Sequence, residues 1–292
     1  MIQTSPTLES SSGCAESGRR PASGMRCLAA ELSRRLSVAI AATLLVAMSA
    51  MSPACATSAG TNAVPCTDSL AGVLTKHLTN NLVRYAALKA DSRGLDEFLG
   101  SAAAVSRKQF DAWPQSDQIA FLINVYNAAT LKLVTDNYPV KSIKKIGGWF
   151  STPWKQEAVR LFGKTTTLDE VEHGMLRAGY AEPRIHFALV CAAKGCPPLR
   201  GEPFTGAKLK DQLADQGRRF LAQSEKNRFE NGVLYLSPIF DWFGADFTAS
   251  KLTVAEFVGP LLPEAQRKAL GKADPKIRFT EYDWSLNDAS GK

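Results

Sequence analysis

His173, His186, Cys191 and Cys196 fall within 24 positions of one another. The last three share one stretch, RIHFALVCAAKGCPPL, residues 184–199. Two thiols and two imidazoles this close allow four chemistries. A cysteine beside an imidazole becomes a thiolate at neutral pH, as thiol hydrolases and acyl-transfer enzymes require. Cys196 sits on a Gly-Cys-Pro turn that can present its sulfur. It is the expected nucleophile, with His173 or His186 as base and Glu172, Asn124 or Asn127 orienting that base. Alternatively Cys191 and Cys196, five positions apart, close a small disulfide loop. Two Cys and two His are also zinc ligands, but spacings of 13, 5 and 5 fit no standard finger, and no metal or cofactor is expected. The fourth account is plain packing, since buried free cysteines and hydrogen-bonded core histidines are common.

The elements that must hold these groups are legible from periodicity. QIAFLINVYNAATLKLVTDNYP, opening at Pro114-Gln115-Ser116 with Ser116 as N-cap and stopped by Pro139, is apolar nearly all round and predicts a buried central helix. Its Asn124 and Asn127 then need partners: they either tie the helix to neighbouring loops or orient a catalytic group. Before it, residues 70–99 fit two short helices broken near Asp91-Ser92-Arg93-Gly94. AVRLFGKTTTL predicts a hairpin turning at Gly163-Lys164. A capping box at Thr167–Glu170 opens a helix through Arg177, with Leu168, Val171, Met175 and Leu176 inward. Glu172 shares that apolar sector, so Arg177 or Arg184 is expected to pair with it.

IHFALV has strand composition, which would turn His186 and Cys191 to opposite faces. Thr205 caps a helix to about Gln223, and RFENGVLYLS is a hairpin with Asn231-Gly232 in a type I′ turn. PIFDWFGADF is an aromatic loop, in which Phe240, Trp242, Phe243 and Phe247 either pack inward or form a partner groove. A capping box at Thr253–Glu256, a short helix stopped by Gly271 and a strand KIRFTEYDW complete the chain. Helices and hairpin-joined strands in mixed order predict one α+β domain over residues 70–288, with a buried central helix and a mainly antiparallel sheet.

The N-terminal region reads as a targeting segment. From Met25, Arg26, Arg34 and Arg35 precede an uncharged run from Leu36 to Met51, and Ala54-Cys55-Ala56 is a small-residue cleavage signal. Residues 25–56 are thus expected to be a signal peptide, 1–24 a non-native upstream segment with Met25 the true start, and 57–69 a tether. Cleavage removes Cys14, Cys27 and Cys55 and leaves Cys66, Cys191 and Cys196 in an oxidising periplasmic or secreted setting. No membrane span is expected after cleavage.

The formal charge of the chain is +7. Residues 1–56 hold five Arg and three Glu, and without them 30 basic and 25 acidic residues remain. The densest basic cluster, Lys141, Lys144 and Lys145 followed by Trp149 and Trp154, is no continuous stripe, which argues against nucleic acid as a partner.

AFLINVYNAATLKLV, LDEVEHGMLR, PRIHFALVCAAKGCPPL, the Asn-Gly hairpin with its aromatic stretch, and YDWSLND together resemble the family known as domain of unknown function 547. The resemblance extends over about residues 70–288. It implies that Asn124, Tyr126, Asn127, His173, Arg177, Arg184, His186, Cys191, Cys196 and Pro197 occupy signature positions. It brings no established reaction. Leu122 stands where the family commonly has Trp, a change of packing rather than chemistry. The functional expectation is a thiol-type hydrolase or acyl-transfer enzyme acting on peptide or envelope material, with Arg177, Arg184, Tyr126 and Trp242 as binding residues. The alternative is a non-catalytic cell-envelope binding domain stapled by a Cys191–Cys196 disulfide.

Overall fold

The computed structural model describes residues 63–147, 151–271 and 273–291, which fall in one compact unit. Residues 1–24, the expected signal segment 25–56 with Cys27 and Cys55, and Trp149 lie outside the described residues. Helix α1 (Asp68–His77) begins inside the stretch read as a tether. A two-residue hairpin of β1 (Leu78–Thr79) and β2 (Leu82–Val83) separates it from α2 (Tyr85–Ala90) and α3 (Arg93–Ala103). Three helices therefore stand where two were expected. The extra break falls at Asn80-Asn81, whose φ values of 48° and 64° lie in the left-handed region that Asn tolerates.

After α4 (Arg107–Asp111) comes α5 (Gln115–Asn137), the buried helix its composition demands. Ser116 lies inside its first turn, because Pro114 holds the boundary. The helix stops at Tyr138 ahead of Pro139. Leu122, Ile123, Tyr126 and Val134 are among its fully buried side chains, at the centre of the larger apolar core. Strands β3 (Glu157–Leu161) and β4 (Lys164–Thr167) pair antiparallel, and the turn is Phe162-Gly163, one residue earlier than expected.

A π-helix, Glu170–Arg177, follows. The Thr167 hydroxyl accepts the Glu170 N–H at 3.0 Å, one half of the expected capping box. The wider turn departs from the α-helical wheel, and such turns are frequent at functional sites. IHFALV is not a strand: Pro183–Phe187 form a 3₁₀ turn and the chain then runs irregularly to Pro198. In place of a ladder, the Asn127 side chain donates to Ala188 O and accepts from Val190 N, both at 2.9 Å. The strand alternation expected to separate His186 from Cys191 is therefore absent.

Helix α6 (Leu209–Leu221) buries Leu209, Leu213, Phe220 and Leu221 as expected. Strands β5 (Arg228–Glu230) and β6 (Val233–Leu236) turn at Asn231-Gly232, with φ of 52° and 76°, a type I′ geometry. The expected aromatic loop is two short helices, α7 (Ile239–Trp242) and α8 (Gly244–Thr248). Phe240 and Phe247 sink into a second core with Phe187 and Phe220, which decides for packing at those two positions. Helix α9 (Val254–Val258) carries the complete capping box, and α10 (Glu264–Leu270) ends at Gly271.

Strand β7 (Lys276–Phe279) pairs with β6 in parallel, so the three-stranded sheet β5-β6-β7 is mixed. The parallel pairing directs residues 280–288 back across the cysteine loop, where Lys194 N donates to Ser285 O, Gly195 N to Asp283 O and Asn287 N to Ala192 O. Helices on small, mostly antiparallel sheets make this an α+β domain. No helix among the described residues is long and apolar enough to cross a membrane.

Candidate functional site

A cleft of about 370 Å³ opens where the two cores meet, and Tyr282 packs against both. Its lining includes Tyr126, Glu172, His173, His186, Cys191 and Cys196. Residues brought from three parts of the sequence thus face one space.

One wall carries the thiols. The loop from Cys191 to Cys196 curls through Ala192 at φ 60°, and the Cys196 N–H closes on Ala193 O at 3.1 Å. The Cys196 sulfur accepts the Cys191 backbone N–H at 3.1 Å and the Tyr282 hydroxyl at 3.2 Å. The same hydroxyl lies 3.2 Å from the Cys191 sulfur. Burial opposes a charge on Cys196, which is 2% exposed. The Cys191 thiol, Tyr282 and the loop backbone nevertheless outweigh it and bring Cys196 down to about 7. Cys191 is pushed up, first because its proton is held by the Cys196 sulfur and then by burial. The negative charge belongs on Cys196 and the remaining proton on Cys191. Lys226 Nζ donates to Cys196 O at 2.9 Å, placing a cation behind the turn.

The approach of Tyr282 depends on Gly195. A Cβ at that position would lie 2.8 Å from the Tyr282 ring, inside any real contact. Tyr282, Trp242 and Trp284 then stack into an aromatic rim with Trp154 at its edge, and Trp242 stays 48% exposed.

The opposite wall carries the acid and the imidazoles. His186 Nε2 donates to Asp246 Oδ2 at 2.7 Å, and its ring stacks on Phe243 with centroids 3.9 Å apart. Burial lowers His186 to about 4 even though Asp246 opposes this, so the ring is neutral, with its proton on Nε2. Arg177 grips Asp246 through two bonds of 2.6 and 2.9 Å and also reaches His173 Nδ1 at 3.0 Å. A guanidinium can only donate, so His173 Nδ1 accepts and its proton sits on Nε2. The Arg177 pair holds the Asp246 carboxyl down at about 2.

Glu172 is half-buried, and burial raises its pKa against the pull of His173, Tyr126 and Arg177. Tyr126 lines the same cleft, and burial, then the neighbouring Glu172 and both cysteines, push its hydroxyl well above the usual phenol range. Neither expected arginine pairs with Glu172. Arg177 is committed to Asp246 and Arg184 to Glu182, at 2.5 and 2.7 Å.

Residues 110–221 match the family model described as Protein of unknown function, DUF547. This segment belongs to that family. No curated protein and no solved structure matches the chain. The DUF547 segment runs from Phe110 through α5, the π-helix and the cysteine loop to the end of α6. It supplies Tyr126, Glu172, His173, His186, Cys191 and Cys196, whereas Lys226, Asp246 and Tyr282 come from beyond it.

Of the residues singled out in the sequence, Asn124 and Asn127 stay out of the cleft. Asn124 clamps Phe204 through N–H and C=O at 2.9 and 2.8 Å, and Asn127 clamps the approach to the cysteine loop. Both tie the central helix to neighbouring chain. Arg184 lies on the surface with Glu182 and Lys210 O. The hydrogen-bond partners of the Cys196 sulfur come from Cys191, Tyr282 and the loop backbone, and the imidazoles are engaged by Asp246 and Arg177. Among the described residues, no three His, Cys, Asp or Glu side chains converge as a metal-ligand set.

Sequence reasoning missed three contributors. Tyr282 lay in the YDWSLND block without an assigned role. Asp246 is an acid in the aromatic stretch FGADF, and that isolated charge is the signal that could have found it. Lys226 carries no local signature.

Proposed function

We propose that the cleft is a thiol-type acyl-transfer site acting on peptide, amide or envelope material, with Cys196 as nucleophile. The supporting observation is the cradle of Cys191 N–H and Tyr282 O–H on the Cys196 sulfur, in the same cleft as Glu172. Fixed donors stabilise the thiolate without an imidazole in contact. The thiolate attacks a carbonyl carbon, the bond to the leaving group breaks, and that group takes a proton from Glu172. Burial keeps Glu172 protonated to a higher pH than usual, as a general acid needs. Water then cleaves the thioester, returning a proton to Glu172 and the thiolate to Cys196. This assigns the imidazoles a positioning role: His173 and His186 hold Arg177 and Asp246 in place, and His173 lines the cleft beside Glu172.

In the same proposal residues 25–56 direct export, so the mature chain works in the periplasm or outside the cell. A second reading, an envelope-binding domain, draws on the exposed Trp242 rim; the staple expected with it is not formed here, where Cys191 and Cys196 are free thiols, and would need their oxidation.

Iodoacetamide mapping of the native, unreduced chain separates the two. Alkylation of Cys196 with a midpoint near pH 7 supports the enzyme, and a bridged, unreactive pair supports the staple. Against a panel of activated esters and peptide amides, Cys196→Ala should lower turnover at least ~100-fold. Unchanged turnover in that variant removes Cys196 from the chemistry.

A further inference from the structure

We infer that Cys191 and Cys196 form a resolving pair that exchanges with disulfide-bearing molecules, so the cleft also supports thiol–disulfide exchange. The inference rests on the thiolate reading of Cys196 but not on acyl transfer.

Three observations carry it. First, the Tyr282 hydroxyl lies 3.2 Å from each sulfur, and the Cys196 sulfur also accepts the Cys191 backbone N–H at 3.1 Å. A purely nucleophilic site has no need of a second thiol held against the first. Second, the two differ in exposure: Cys191 is half-buried and Cys196 is buried, yet both line the cleft. The deeper sulfur is the one cradled by backbone N–H, and the shallower retains its proton. Both sulfurs border the cleft, so the protonated Cys191 can resolve a mixed disulfide formed on Cys196, which meets its partner from the deeper position. Third, the loop between them is curled and anchored. Ala192 sits at φ 60°, Cys196 N closes on Ala193 O, and residues 192–195 are tied to 283–287. The loop is therefore already folded around the pair, which lowers the entropic cost of joining the two sulfurs.

The chemistry balances without a cofactor. The Cys196 thiolate attacks one sulfur of a disulfide RS–SR′, forming Cys196–S–S–R and releasing R′S⁻. The Cys191 S–H gives its proton to the departing thiolate, and the new Cys191 thiolate attacks the Cys196 sulfur. A Cys191–Cys196 bond forms and RS⁻ leaves, to be protonated by solvent. The dithiol loses two electrons, and one disulfide becomes two thiols. The reverse sequence regenerates the nucleophile, so the closed pair is also a state in which Cys196 cannot attack a carbonyl.

The test uses the reduced full-length chain and oxidised glutathione, with acid quenching, maleimide labelling of remaining thiols and tryptic mapping. Cleavage after Arg184, Lys194 and Arg200 places the two cysteines on separate peptides, 185–194 and 195–200, so a bridge appears as a linked pair. The wild type should give that linked pair. Cys191→Ser should trap glutathione on Cys196, and Cys196→Ser should leave Cys191 reacting roughly tenfold more slowly than Cys196 does.

Iodoacetamide run in parallel distinguishes the failures. Fast alkylation of Cys196 with no linked peptide and no trapped adduct overturns the resolving pair and spares the thiolate. Slow alkylation of Cys196 in both wild type and Cys191→Ser overturns the thiolate reading itself, and the pair with it.

Discussion

The two walls of the cleft hold charge by different means. On the thiol wall the stabilising groups are the Cys191 thiol, the Tyr282 hydroxyl and, unlike the other wall, backbone N–H donors that the fold aims at Cys196. On the opposite wall every partner is a side chain: Arg177 on Asp246, Asp246 on His186, Arg177 on His173. Backbone donors cannot titrate and move only if the loop moves. Side-chain partners respond to pH and to single substitutions. The thiol wall should therefore yield to changes in shape and the acid–imidazole wall to changes in protonation.

The largest expected effect lies on the acid–imidazole wall. His186 takes up a proton only near pH 4 when folded, whereas the unfolded chain does so near 6.5. The unfolded state then binds more protons between those values, so stability falls as pH drops from 6.5 to 4. The loss should approach about 3 kcal/mol. Urea unfolding at pH 7, 5.5 and 4.5 measures it, and His186→Asn should flatten the dependence within that window. A slope that survives the substitution would assign it to other groups.

Gly195→Ala comes next and probes the thiol wall through shape. The added methyl meets the Tyr282 ring, so the loop or the ring must shift, at a cost of about 1–3 kcal/mol. The midpoint of iodoacetamide alkylation at Cys196 should rise with it. Stability that drops while the midpoint stays at the wild-type value would show that Tyr282 is not what holds the thiolate.

The smallest effect belongs to Tyr282→Phe, which removes one donor and leaves the ring. It should cost about 1 kcal/mol and raise the alkylation midpoint, without reaching the value of an isolated thiol, because the Cys191 N–H remains. A return to the ordinary thiol value would make the hydroxyl the main support and the backbone a minor one.

The same contrast between local and distant partners governs how much was legible in the sequence. Local rules recovered α5, the β3–β4 and β5–β6 hairpins, the Thr253 capping box and the Gly271 stop, since each is set by neighbours within a few residues. IHFALV failed because its strand-like composition was overridden by a distant partner: Asn127, 61 and 63 positions earlier, takes Ala188 O and Val190 N. The same applies to the site. Cys191, Cys196, His173, His186 and Glu172 stood out by residue type and proximity, and the cleft gathers all five. Their pairings did not stand out. The isolated charge in FGADF marks Asp246 but not its pairing with His186, 60 positions earlier, and nothing local marks Tyr282 as the donor to a cysteine 86 positions before it.

The parallel return of β7 has a consequence for how the molecule reaches its native state. Residues 282–287 close over the cysteine loop across about 90 intervening positions, a long-range closure that cannot precede the sheet steering it there. The loop is thus expected to be covered late in folding, which pulse-labelling of its sulfurs during refolding would register as prolonged reactivity at Cys191 and Cys196. Refolding under reducing conditions, with oxidant added only afterwards, is the order of events that suits this topology.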